Sequence, residues 1–272
     1  MPELIGKTLG PYQIIESIGK GGMAEIYRAY QPSTKRDVVV KVLFSNLRND
    51  PGFVDRFKRE LDIIAHLQHP HIISVYDFGE EDDQLYIVMA YLRGGSLADK
   101  ITGTQNGLEV QETIRLINLI ASGLDYAHAM GIIHRDLKPS NILMDEHGNP
   151  YIADFGIAKR LDGRDDATNT IMSGTAGYIA PEIAQSGRST KKADIYALGI
   201  ILFEMLTGRM PYVGRNPYKI LSAHVNQEIP NLLDFRPGLP ASFQAIIEKA
   251  LAKKPEERFS NAGELVKALR IS

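Results

Sequence analysis

His134-Arg135-Asp136-Leu137-Lys138-Pro139-Ser140-Asn141 is the stretch on which the reading of this chain turns. It sets an acid, a base two residues on and a side-chain amide within one short loop. Asp154-Phe155-Gly156 follows thirteen residues after Asn141 and brings a second loop acid. Taken singly, each acid reads as an ordinary turn residue. The segments on either side give them weight.

Upstream, the pattern is one of short strands. Gln13–Ile18 and Glu25–Tyr30 are apolar-rich and are split by Gly19, Gly21 and Gly22, a strand, tight loop, strand signal. Val38–Leu43 and Leu85–Tyr91 are β-branched runs, and Asp82-Asp83 suits a hairpin turn leading into the second. Between them Phe53, Phe57, Leu61, Ile64 and Leu67 recur at helical spacing. By strand parity Lys41 shares a face with Val39 and Leu43, an apolar place for an ammonium, and Glu60 borders the apolar stripe of its helix. Burying either charge alone is costly, whereas the two together offer an ion pair. A lysine fixed by a carboxylate beneath a loop of backbone N–H groups suits a polyphosphate. The glycine loop opens a hairpin instead of leading into a helix, which counts against a dinucleotide-binding βαβ unit.

Downstream the chain turns helical. Val110–Ala129 carries Ile114, Ile117, Leu124 and Ala127 at helical spacing and ends at Gly131. Asp194–Thr207 is apolar on nearly every side, the mark of a buried helix, and is stopped by Gly208 and Pro211. Two lobes meeting near Tyr91–Gly95 is the economical organisation.

Composition removes other classes. The 272 residues are 44% hydrophobic and 24% charged, enough to build a substantial core. A net charge of −2 gives no field toward nucleic acid or anionic lipid. With no cysteine, disulfides, thiolate zinc sites and a cysteine nucleophile are excluded. The start, Met1-Pro2-Glu3-Leu4, lacks the features of a signal peptide. The greasiest run, Ile195 to Leu206, is interrupted by Glu204 and falls short of the ~20 residues a membrane span needs. A soluble cytosolic globule is expected. Two decoys fail. Gly6-Lys7-Thr8 imitates the end of a phosphate loop without room for the strand that should precede it, and His66, His69 and His71 lack partners to complete a metal shell.

With the glycine loop, Lys41 and Glu60 upstream, the two loop motifs reproduce the ordered signature of protein kinases. The chain resembles the eukaryotic-like (Hanks-type) Ser/Thr protein kinases from about Tyr12 to Arg270. Its Gly-Lys-Gly-Gly-Met-Ala-Glu-Ile-Tyr wording resembles their bacterial branch. The resemblance implies an α+β, bilobal fold: a small antiparallel β-sheet lobe with one regulatory helix (1–90), a hinge (91–93) and a larger, mainly α-helical lobe (94–272). The activation segment would span 154–182.

Carried over residue by residue, the resemblance implies that Asp136 orients the substrate hydroxyl and accepts its proton while Lys138 neutralises the transferred phosphoryl group. Asn141 and Asp154 would hold Mg²⁺, with Mn²⁺ as an alternative. Lys41 would pair with the α/β-phosphates of ATP and with Glu60. Phosphoryl transfer needs this positioning and charge neutralisation more than covalent help. The ATP site would run from Ile18 through Gly19, Lys20, Gly21, Gly22, Met23 and Ala24 to Ile26 and Val39. Met89 would stand behind the adenine, the backbones of Ala90 and Leu92 at its edge, and Leu143 below it. Ala90 replaces a common Glu, Val39 a common Ala and Ala24 the third glycine; Val39 would tighten the roof over the ring. His134 is read as a packed structural residue.

On the control side, Thr168, Thr170 and Ser173 would be phosphosites gripped by Arg56, Arg135 and Lys159, since a phosphoryl group brings about −1.5 to −2 charges. Thr175 and the Gly174–Glu182 stretch would dock protein substrates with Ser/Thr acceptors, and Ile157 hints at Thr over Ser. Glu182 with Arg258, and Asp194 beneath the catalytic loop, would be structural. The implied partners are protein substrates and a second copy for trans-autophosphorylation. The implied location is cytoplasmic, as a whole kinase or as the cytoplasmic domain of a membrane-anchored one. A nucleotide-binding pseudokinase scaffold is the rival reading, and it expects damage at Lys41, Asp136, Asn141 or Asp154. A small-molecule phosphotransferase is the third.

Overall fold

The computed structural model describes residues 4–22, 24–44, 52–155 and 176–271. The β-branched and aromatic runs form a six-stranded antiparallel sheet in the order β1-β2-β3-β4-β6-β5. Its strands are β1 (Thr8–Leu9), β2 (Tyr12–Lys20), β3 (Ala24–Gln31), β4 (Arg36–Leu43), β5 (Val75–Glu81) and β6 (Gln84–Ala90). Asp82 and Asp83 turn β5 into β6 with φ of 46° and 62°, the left-handed pair a tight hairpin requires.

Strand β4 shows why the sheet can carry a charge. Val38, Val40 and Val42 point into one apolar layer with Tyr12, Ile14 and Tyr27. Val39 and Leu43 point into the other, against Phe53, Phe57 and Leu61 of helix α1 (Phe53–Ala65). Lys41 therefore emerges on the side that α1 covers. Helix α1 ends at Ala65, and Leu67 lies in the turn beyond it.

The larger lobe is helical: α2 (Leu97–Thr102), α3 (Val110–Ala129), α4 (Pro181–Ser186), α5 (Lys191–Thr207), α6 (Pro217–Asn226), α7 (Leu232–Phe235), α8 (Ser242–Ala250) and α9 (Ala262–Ile271). Helix α5 starts three residues earlier than its apolar run, because Lys191, Lys192 and Ala193 form its first turn after Thr190. Every residue from Ala193 to Thr207 except Glu204 is buried, so α5 is the axis of the lobe. Gly208, at φ 71°, ends it in the left-handed conformation that spares any other residue strain. A small hairpin, β7 (Ile142–Met144) with β8 (Pro150–Ile152), follows the 3₁₀ turn Pro139–Asn141 and lies between the lobes. No helix among the described residues is long and apolar enough to cross a membrane.

Candidate active site

The catalytic-loop residues are held from below by one buried carboxylate. Asp194 of α5 is 2% exposed. Its Oδ2 accepts from the His134 amide at 2.8 Å and lies 2.7 Å from His128 Nε2, and its Oδ1 accepts from the Arg135 amide at 3.0 Å. Arg135 itself sits at φ 67°, a sparsely populated conformation for a non-glycine residue, and these bonds hold it there. The fully buried His134 ring packs 4.7 Å from the Phe155 ring. Its Nδ1 accepts the Asp136 amide at 3.2 Å, and its Nε2 lies 2.9 Å from the Ala153 carbonyl. That pair of contacts assigns the neutral ring with the proton on Nε2. Burial pushes the His134 pKa down in the same sense. This ring is a spacer between the two acid-bearing loops, not a proton donor or acceptor for a substrate.

Above it, Asp136, Lys138 and Asn141 converge. Asn141 Nδ2 donates to the Asp136 carbonyl at 2.8 Å and to its Oδ2 at 2.9 Å. Lys138 Nζ stands 3.1 Å from the same Oδ2. With its Nδ2 so engaged, Asn141 keeps Oδ1 as the acceptor atom of its side chain. Asp154, at φ 58°, directs its carboxylate toward β4, where Oδ1 meets Lys41 Nζ at 2.7 Å. An amide oxygen and a carboxylate on adjacent loops are hard oxygen donors few enough to suit Mg²⁺, which keeps several waters and phosphate oxygens among its ligands.

The Lys41–Glu60 pair expected from the sequence is not the one formed. Asp154 supplies the carboxylate to Lys41, and the half-buried Glu60 makes its contacts elsewhere. The reason is geometric: the left-handed turn at Asp154 lifts its short side chain directly under β4, whereas Glu60 rides at the edge of the α1 stripe formed by Phe57, Leu61 and Ile64.

The apolar positions expected around adenine come together. Ala24, Val39 and Met89 are buried in one cluster, and Ile26, Ala90, Leu92 and Leu143 pack on it. Strand register makes this possible, since Val39 lies opposite Met89 and Val38 opposite Ala90. Gly19, Gly21 and Gly22 close the hairpin above, where the Gly21 amide donates to the Ala24 carbonyl at 2.8 Å. Ile18 and Lys20 are exposed. The segment after Ala90 is clamped to β7: the Gly94 amide donates to the Met144 carbonyl at 2.9 Å. Any side chain at Gly94 would collide with that carbonyl, its Cβ falling 2.6 Å from it.

Arg56 lies on α1, and Arg135 in the catalytic loop. Met23, Gly156, Ile157, Lys159, Thr168, Thr170, Ser173, Gly174 and Thr175 lie outside the described residues. Beyond them Tyr178 donates to Glu204 at 2.7 Å, and burial raises the pKa of both. Glu182 grips Arg258 in a two-pronged pair, at 2.8 and 2.7 Å, with Arg258 buried. His128 is a site residue that the sequence reading does not single out; its signal is a polar ring on the buried face of α3.

An acid, a lysine and an amide on one loop, with a second loop acid under a strand lysine, define a two-lobed phosphotransferase. The family model described as "Protein kinase domain" matches residues 12–269, and the chain belongs to that family. It is 44% identical over 264 residues to the serine/threonine-protein kinase PrkC of Bacillus subtilis (strain 168), covering 96% of this chain and 40% of PrkC. Against the serine/threonine-protein kinase PknE of Mycobacterium tuberculosis (strain ATCC 25618 / H37Rv), identity is 39% with 96% and 46% covered. The crystal structure of the Mycobacterium tuberculosis PknI kinase domain superposes with a TM-score of 0.78 at 31% identity, over 98% of this chain and 98% of that one. The chain is a bacterial Hanks-type Ser/Thr kinase domain, and it spans less than half the length of the curated relatives PrkC and PknE.

Proposed function

We propose that this domain transfers the γ-phosphoryl group of ATP to Ser and Thr hydroxyls of proteins, including its own activation segment (154–182). The observation that carries this reading is the meeting of Asp136, Lys138 and Asn141 around one carboxylate oxygen. An acid so fixed can take the proton of an incoming hydroxyl while Lys138 offsets charge on the group in transit. The acceptor oxygen bonds to phosphorus, the bond to the β-phosphate bridging oxygen breaks, ADP leaves, and the proton passes from Asp136 to solvent. Asn141 and Asp154 would hold Mg²⁺, with Mn²⁺ as a substitute, and the ion would neutralise phosphate charge. Lys41 would hold the α/β-phosphates, and the Ala24–Leu143 cluster would take the adenine.

On this reading the nucleotide is held by 1–90, the hinge is 91–93, and 94–272 carries the acceptor side. Thr168, Thr170 and Ser173 are the proposed phosphosites, gripped by Arg56, Arg135 and Lys159, with Thr175 docking the acceptor. Trans-autophosphorylation between two copies and a cytoplasmic location belong to the same proposal. The test is incubation with ATP and Mg²⁺ followed by mass spectrometry of the activation segment. Phosphate on Thr168 or Thr170, abolished by Asp136→Asn, is expected. A folded protein that binds ATP yet modifies neither itself nor a generic protein substrate overturns the reading in favour of a nucleotide-binding scaffold.

A further inference from the structure

The hinge side of the nucleotide cleft carries an ionic cluster that no step above uses. Asp37 stands at the start of β4, one residue before Val38, which is in register with Ala90 at the end of β6. A single oxygen of its carboxylate, Oδ2, lies 3.3 Å from Arg28 Nε on β3 and 3.6 Å from Arg93 beyond the end of β6. Arg28 also meets Glu16 of β2 at 2.8 Å, and its guanidinium lies 5.7 Å from the centre of the Tyr91 ring. Gly94, next after Arg93, is bound to the Met144 carbonyl in the larger lobe. The segment Tyr91–Arg93 is therefore tied to the larger lobe by backbone on one side. On the other it is tied to the small sheet through Asp37.

We infer that Asp37 is a positioning residue for nucleotide binding, acting as the shared counter-ion that holds Arg93, and with it the Ala90–Leu92 backbone, against the small sheet. This rests on the reading of Ala90–Leu92 as the adenine edge. Without the carboxylate, Arg28 keeps Glu16, but Arg93 keeps no acidic partner among the described residues, and two like charges face each other across the hinge. Both arginines are then better separated by opening the hinge segment away from the sheet. Asp136 is held by Asn141 and Lys138 of its own loop, so affinity should respond and turnover should not.

The experiment measures ATP affinity by equilibrium binding, and KM and kcat on a protein substrate, for the full chain. Asp37→Asn should weaken ATP binding and raise KM by about three- to five-fold, the span of one partly exposed ion pair, with kcat unchanged. Asp37→Glu should restore most of it. Glu16→Gln, which touches Arg28 but not the hinge, should leave KM alone. Arg93→Gln combined with Asp37→Asn should be no worse than Asp37→Asn alone, and the defect should shrink at high salt. Unchanged affinity in a folded Asp37→Asn protein, or additive effects of the pair, overturns the inference while the kinase reading stands. Failure of the unsubstituted chain to bind ATP removes both.

Discussion

The Lys41 ammonium rests 2.7 Å from the Asp154 carboxylate, not against Glu60. A strand lysine is thereby neutralised by the loop acid proposed above to hold Mg²⁺. Each partner is partly exposed, so the pair is worth roughly 0.5–1 kcal/mol. Thermal melts of Lys41→Met, Asp154→Asn and the double variant should give a double-mutant cycle that is non-additive by that amount. Additive losses would show that the contact contributes nothing to the fold. Both single variants should also lose phosphotransfer.

Asp136→Asn removes the carboxylate proposed as proton acceptor but keeps the size of the side chain. Turnover should fall by about 100-fold or more, with ATP affinity and melting temperature close to those of the unsubstituted chain. Parallel measurement of binding and turnover checks this. A parallel loss of affinity would mean that Asp136 serves binding, not the chemical step.

Arg258 lies buried with Glu182 across it, and it also donates to the carbonyls of Ala252, Lys192 and Lys253. Arg258→Ala leaves the Glu182 carboxylate and three carbonyls without their donor, and should cost about 3–5 kcal/mol in chemical denaturation. Glu182→Gln, which retains some hydrogen bonding, should cost less.

Gly94→Ala drives a methyl group into the Asp145 and Met144 carbonyls, which are backbone and cannot swing aside. A loss of about 1–3 kcal/mol is expected, together with weaker ATP binding as the hinge segment is pushed off β7. Denaturation and binding titrations report the two effects separately.

Acid should unfold this protein partly through His224. Burial, helped by the nearby Lys253 ammonium, lowers its pKa to about 3, and Tyr196 lies 2.8 Å from its Nδ1. The unfolded chain takes up a proton as pH falls below about 6.5, while the folded chain resists until about 3. Stability from this group is thus complete above 6.5 and is lost as pH falls toward 3. His134, also lowered by burial, acts in the same direction. Lys253, brought down to about 8 chiefly by burial, adds a gain as pH rises from 8 to 10.5. His224→Gln should flatten the acid limb of stability against pH; an unchanged limb would sink the assignment.

Much of this was legible in the chain because it depends on local pattern. The parity of Val38 to Leu43 put Lys41 on the face that α1 covers, and the all-round apolarity of Ile195 to Leu206 marked α5 as an axis. β7 and β8 were not legible, since three residues each cannot display a period of two. Nor was β5, an edge strand whose Gly79, Glu80 and Glu81 blur any alternation. The partner of Lys41 escaped for a different reason. Lys41 and Asp154 are 113 residues apart, and which acid arrives first is decided by a left-handed turn that no residue type announces. The Arg28–Asp37–Arg93 cluster reads in sequence as ordinary surface charge.

Asp194 has a wider consequence. Because the amides of His134 and Arg135 end on a carboxylate sealed inside α5, the catalytic loop is the outer edge of the hydrophobic core, not a surface appendage. Its aim is inherited from how α5 packs, with Gly199 lying so close to Ala250 of α8 that a Cβ there would come within 2.8 Å of it. Re-aiming that loop would therefore mean repacking the middle of the domain, while the small sheet could be altered without disturbing the Asp194 contacts.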